Sequence, residues 1–142
     1  MNCDVFTYGS LMFPEVWKPL VAEPRASVAA TLDGYQREGI RGQSYPGIRA
    51  QPGARTAGRL YLDVGPDALA RLDAFEGDEY RRETVMVMIT TPDGRRIERS
   101  AQVYRPVDTR QLDGVGWDAD AFGRTTAAGF YRQHASGQPD RV

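Results

Sequence analysis

The chain has 142 residues, a length that fits one domain over residues 1–142 and lets roughly 70 % of the unfolded surface be buried. Hydrophobic content of 41 %, charged content of 26 % and a formal net charge of −1, from 18 basic and 19 acidic residues, match ordinary globular proteins and give no electrostatic footprint for nucleic acid or an anionic membrane. One His and one Cys exclude an internal disulfide and a Cys/His zinc site, so any catalysis must rest on carboxylates, hydroxyls, Arg, Lys18 and backbone N–H groups.

"MNCDVF" has neither the basic nor the apolar region of a secretory signal, and no apolar run approaches the roughly 18 residues of a membrane span. No membrane or nucleic-acid partner is expected, and the expected location is cytoplasmic. "CDVFTYGSL" reads as a strand that stops at Gly9 in a tight turn. "LMFPEVWKPLV" places Pro14 at a first helical position, with Leu11, Val16 and Leu20 as candidate buried residues, and predicts a short helix weakened by Pro19. "SVAATLDGYQREGI" predicts a strand interrupted near Gly34 by a turn or bulge. Residues 41–53, rich in Gly, Pro and Gln, read as a loop.

"TAGRLYLDV" alternates Gly58, Leu60, Leu62 and Val64 against Arg59, Tyr61 and Asp63, the period of a half-buried strand. A helix then opens at Pro66, with Asp67 complementing its dipole, buries Leu69, Leu72 and Phe75, and ends at Gly77 in the left-handed position. "TVMVMITT" and "IERSAQVYR" flank Thr91-Pro92-Asp93-Gly94, a type I turn, and so form a hairpin. The tail from Trp117 is compatible with a helix capped by Asp118, weakened by Gly123 and Gly129. The order β-α-β-β-α-β-β-α predicts a mixed α/β domain with a largely antiparallel sheet or barrel.

"LDAFEGDEYRRE" holds five carboxylates. Asp73 reads as polar filler on the helix, and Asp78, Glu79 and Glu83 lie in or after a Gly turn among arginines that can screen them. Glu76 differs. It sits in the last helical turn, where the negative end of the helix dipole disfavours ionisation, and it neighbours Phe75 and Tyr80, whose bulk would desolvate it. A Glu tuned upward is what a general base needs; the competing reading is a surface Glu at a helix end.

"TYGSL", residues 7–11, ends a strand with consecutive backbone N–H groups that could cradle a carboxylate. Gly9 permits close approach, and the hydroxyls of Tyr8 and Ser10 offer further donors. Against this stands an ordinary strand–turn. It is no nucleophile elbow, because Tyr8 stands where Gly is required. "GVGWDA" follows a polar segment rather than a strand and is not a dinucleotide fingerprint. Trp17 and Trp117 read as core or cover, His134 as a helix or tail residue. Tyr104 alternates with Glu98, Ser100 and Gln102, so it either faces a polar cavity or is ordinary packing.

"VFTYGSL", "GRLYLDV" and "LDAFEGDEYRRETVMV", in this order, resemble the γ-glutamylcyclotransferase-like superfamily, nearest its avirulence-induced-gene-like and γ-glutamylamine cyclotransferase branch. The resemblance covers about residues 4–105. It rests on Tyr8, Gly9, Ser10 and Leu11, and on Leu72, Asp73, Phe75, Glu76, Gly77, Tyr80 and Arg82; "SYPGI", with Tyr45, is similar to the family's pocket-facing segment. The implied fold is α+β, a small, mostly antiparallel β-barrel flanked by helices. The implied activity cyclises a γ-glutamyl group to 5-oxoproline and releases an amine or amino acid. Glu76 would be the catalytic acid/base. Thr7, Tyr8, Gly9, Ser10, Leu11, Tyr45 and Tyr104 would bind the small-molecule γ-glutamyl substrate, with no cofactor and no metal. Two other readings are a non-catalytic small-ligand binder of the same fold and an enzyme that removes a γ-glutamyl protecting group from a specialised metabolite.

Overall fold

A computed structural model describes residues 2–21, 26–41 and 45–114. Five strands, β1 (Cys3–Thr7), β2 (Ser27–Gly39), β3 (Pro46–Val64), β4 (Tyr80–Thr90) and β5 (Arg96–Pro106), close into a barrel in the order β1-β3-β2-β4-β5. Every pairing is antiparallel except β1 with β5, a parallel contact at Val5 and Gln102. Closure gives each of these five strands a neighbour on both sides. Helix α1 (Pro14–Leu20) follows β1 through a short 3₁₀ turn at Ser10–Met12, and helix α2 (Pro66–Glu76) joins β3 to β4. The fold is the expected α+β barrel.

Local signals set most of these elements. Helix α2 begins at Pro66 and is capped by Gly77 at φ 70°, a conformation that costs glycine nothing. The β4–β5 hairpin turns at Thr91–Gly94, where the Gly94 N–H donates to the Thr91 carbonyl (2.9 Å). Strand β2 breaks where expected: Gly34, at φ 87°, lies between the Asp33–Arg55 and Tyr35–Ala50 pairs.

The expected loop over residues 41–53 is a correction. From Pro46 onward it is strand, the first part of the 19-residue β3, paired with β2. Pro46 is the first strand residue, where its missing N–H is harmless, and Gly53, at φ 84°, sits in the bulge opposite Gly34. Composition pointed to a loop; pairing with a long neighbour overrode it.

The apolar residues form two layers. Phe6, Leu32, Ile48, Leu60, Val87 and Val103, from all five strands, fill the barrel. Val5, Tyr61 and Tyr104, on alternate positions, point outward and are covered by Val16 and Trp17 of α1 and by Leu72 and Phe75 of α2. Trp17 stacks on Tyr61 with ring centres 3.7 Å apart, so the expected exposed face of β3 is buried there. Positive φ at Asp63 (60°) shifts the alternation and sends Val64 to the outer layer instead of alongside Leu60. Full burial of a side chain such as Leu72 or Phe75 stabilises by about 1.5–3 kcal/mol, which fixes α2, and the Glu at its end, against the barrel. The expected tail helix, Trp117, Asp118 and His134 lie outside the described residues.

Candidate functional site

Glu76 is the last residue of α2 and is only 3 % exposed. Its Oε2 has no hydrogen-bond partner among the described residues. Burial pushes its carboxyl well above the ordinary carboxylate range, and the negative charge of Asp73, one helical turn earlier, pushes the same way. A buried carboxyl with an oxygen lacking a partner is expensive to keep, so its presence calls for a reason.

The carboxyl faces a cavity of about 20 Å³ lined by Phe6, Thr7, Tyr8, Gly9, Leu11, Glu76, Tyr80 and Tyr104. Of the residues singled out in the sequence, Thr7, Tyr8, Gly9, Leu11, Tyr104 and Glu76 thus come together. Ser10 is buried beside them with its Oγ unpartnered among the described residues, but it does not line the cavity. Tyr45 lies apart, in the wall of a second cavity of about 440 Å³ that shares Tyr80 with the first. Asp78 and Glu79 also line that larger space.

Strand β1 places the loop. Its register with β3 ends at Thr7 and Arg59, and the Thr7 hydroxyl donates to the Arg59 carbonyl (2.9 Å). The chain then leaves the sheet, and Arg37 fixes the exit by donating to the Tyr8 carbonyl (2.9 Å). Gly9 has φ −138°, outside the left-handed region. The glycine is needed instead for a close approach: an added Cβ would lie 2.8 Å from the ring of Pro46.

The hydroxyls behave otherwise than the sequence reading expected. Tyr8 does not offer its proton to a ligand; it donates to the Tyr104 carbonyl (2.5 Å). Tyr80 donates to the Pro46 carbonyl (2.8 Å), and Tyr104 donates to Asp73 (2.7 Å). Burial raises all three phenols, and the charge of Glu76 raises each of them further. Asp73 is therefore more than polar filler: it accepts the Tyr104 hydrogen bond and is gripped by Arg82 through Nε (2.9 Å) and Nη2 (3.2 Å). Sequence reasoning left out Tyr80 and Arg82 as site residues, although both stand in the motif after Gly77. Arg37 carries no local signal at all. Among the other carboxylates, Glu83 pairs with Arg105 at 2.8 Å, as expected.

Among the described residues no group of three or more His, Cys, Asp or Glu is placed to hold a metal ion, and no helix is long and apolar enough to cross a membrane. The family model for "Gamma-glutamyl cyclotransferase, AIG2-like" matches residues 5–119. The chain belongs to this family. The AIG2-like protein D of Arabidopsis thaliana is 31 % identical over 129 residues, 91 % of this chain and 84 % of that relative. A solution structure of an Arabidopsis thaliana protein superposes with a TM-score of 0.68 at 28 % identity, covering 92 % of this chain and 87 % of its own. A structure of a gamma-glutamyl cyclotransferase shares the fold, with a TM-score of 0.57 at 19 % identity over 76 % of this chain and 68 % of its own. Within an AIG2-like fold, then, Glu76 ends α2 beside the loop that leaves β1.

Proposed function

We propose that this AIG2-like chain is a γ-glutamylcyclotransferase in which Glu76 is the general acid/base. The observation that carries the reading is the buried Glu76 carboxyl, with its Oε2 unpartnered among the described residues, in a cavity walled by Thr7–Gly9 and Tyr104. Family membership supports the reaction class.

The nucleophile belongs to the substrate, which suits a site without a reactive Cys or His. The α-ammonium of a γ-glutamyl compound gives a proton to Glu76, and the freed amine attacks the γ-carbonyl carbon. A new C–N bond closes the five-membered ring while the bond from that carbon to the leaving nitrogen breaks. Glu76 returns its proton to the leaving nitrogen. Of the three protons on the ammonium, one stays on the lactam and two end on the departing amine; no water is consumed. A raised Glu76 narrows the gap to the ammonium and eases the first transfer. Holding the amine against the carbonyl supplies much of the remaining rate. The backbone N–H groups of residues 9–11, which follow the end of β1 pairing, receive the α-carboxylate or the developing oxyanion. The neighbouring cavity of about 440 Å³, with Tyr45 in its wall, accommodates the leaving group.

The test is release of 5-oxoproline from γ-glutamyl-ε-lysine, γ-glutamyl dipeptides and glutathione by the purified protein. Product from at least one, lost in folded Glu76→Gln, is the expected result. No product from any of them would instead support the non-catalytic binder.

A further inference from the structure

Asp73 lines neither cavity, yet side chains from two strands converge on it. Arg82 and Tyr104 stand directly opposite each other in the β4–β5 ladder and grip the same carboxylate. Tyr104 donates to Oδ1 (2.7 Å), and Arg82 donates to Oδ1 through Nε (2.9 Å) and to Oδ2 through Nη2 (3.2 Å). Such a two-pronged pair fixes direction as well as distance. Arg82 is itself held, its Nη1 donating to Gln102 (2.9 Å), which in turn donates to Thr84 (2.8 Å). Tyr104 also works in the other direction: its carbonyl accepts from Tyr8, so one residue ties the last turn of α2 to the loop that leaves β1. Docking α2 does not require this much. Leu72 and Phe75 already bury the helix against the barrel, and a salt bridge with side chains 33 % and 42 % exposed adds little stability. What the clamp does fix is a charge, three residues before Glu76 and on the same helical face.

We propose that Asp73 is a positioning residue for Glu76: clamped by Arg82 and Tyr104, it holds a negative charge at a fixed distance from the buried carboxyl and so sets the pH at which that carboxyl exchanges its proton. Arg82 opposes the same charge, so the pair adjusts Glu76 in two directions. Burial and the Asp73 charge both push Glu76 upward, and Arg82 limits the second of these. The ionisable groups facing Glu76 are Asp73 on its own helix, Tyr8 after β1, Tyr80 of β4 and Tyr104 of β5. Behind them stand Arg82 and Cys3 near Asp73, Arg105 near Tyr8, and Tyr45 and Glu79 near Tyr80. Of the groups that set the charge, Asp73 and Arg82 lie outside both cavity linings, so they are open to change without altering the surface a ligand meets.

The inference rests on the cyclisation reading for what Glu76 does with its proton, but the titration itself is read without turnover. Asp73→Asn keeps an oxygen to accept from Tyr104 and removes the charge; Arg82→Gln keeps a donor toward Asp73 and leaves its charge unopposed. In carbon-13 NMR of the full chain, the Glu76 carboxyl is the signal lost in Glu76→Gln, and it is titrated in wild type and in both variants. Its midpoint should move to lower pH in Asp73→Asn and to higher pH in Arg82→Gln. A base works as its carboxylate, so kcat/KM for 5-oxoproline release rises with pH through that midpoint, and its acid limb should move in the same two directions. A unit charge one helical turn away, screened as in water, is worth about threefold in a protonation equilibrium. At a pH on the acid limb, Asp73→Asn should therefore reach an about threefold larger share of its own plateau rate than wild type does. A clamp that merely held the helix would lower activity at every pH and leave the limb in place. That result, unmoved midpoints, or midpoints moving the same way in both variants would overturn the proposal. If Asp73→Asn does not fold, the direction of the Arg82→Gln midpoint decides alone. Opposite midpoint movements without any 5-oxoproline from γ-glutamyl substrates would uphold the proposal and sink the cyclisation reading instead.

Discussion

Replacing Glu76 by Gln should abolish turnover and stabilise the protein at the same time. Losing a general base typically costs about 10²–10⁴ in rate, or about 2.7–5.5 kcal/mol of barrier. The stability effect follows from burial. Because the folded-state pKa of Glu76 is raised, the stability it contributes is fully present below its unfolded value, about 4.3, and is lost as pH rises through the folded value. Gln does not titrate, so the variant escapes that loss. Its carboxamide also brings two N–H donors to a cavity wall whose phenols can only accept, and each bond made adds about 0.5–1.5 kcal/mol. The variant should therefore melt a few degrees above wild type at pH 8, with the difference shrinking at pH 4, where both residues are neutral. The assay pairs 5-oxoproline release with thermal unfolding by circular dichroism at the two pH values. A folded variant with near-wild-type turnover refutes the catalytic role. One that is no more stable than wild type at pH 8 refutes the account of the buried carboxyl.

Gly9→Ala forces a Cβ to 2.8 Å from Pro46, whose carbonyl anchors Tyr80, so it should lose about 1–3 kcal/mol in urea denaturation and also raise KM; a stable variant with unchanged KM would contradict the close approach. Gly58→Ala places a Cβ 2.1 Å from the Thr7 carbonyl oxygen and against the Phe6 ring, so it should lower the melting temperature sharply by disrupting the β1–β3 pairing. Asp78→Asn and Glu79→Gln line the larger cavity and not the Glu76 cavity, so steady-state 5-oxoproline assays should show changes of only a few-fold, against the about 10²–10⁴ expected at Glu76.

What could be read in the sequence was local, and what could not was pairing across distance. Pro66 and Gly77 delimit α2 by their own backbone preferences, and Thr91–Gly94 makes its turn from four adjacent residues, so both were legible. Residues 46–53 were misread because their strand exists only against β2. The site divides along the same line. A Glu at a helix end beside aromatics, near a strand that stops at glycine, is a local pattern, and the structure does bring Glu76 to that loop. The hydrogen bonds that set the cavity's polarity are not local: Tyr8 finds its acceptor 96 residues away, Tyr80 34 away, and Tyr104 31 away. From sequence, Tyr8 counted as a donor for an anion; its partner removes that donor. Each of these bonds is individually ordinary, since buried hydroxyls are nearly always satisfied. Their joint effect is not, because satisfying these three phenols elsewhere leaves Oε2 of the buried Glu76 without a partner among the described residues. A hydroxyl aimed at Glu76 would have relieved that cost and lowered its pKa, and so would have weakened it as a base. The geometry that turns these hydroxyl donors away from Glu76 is thus the geometry that the proposed base requires.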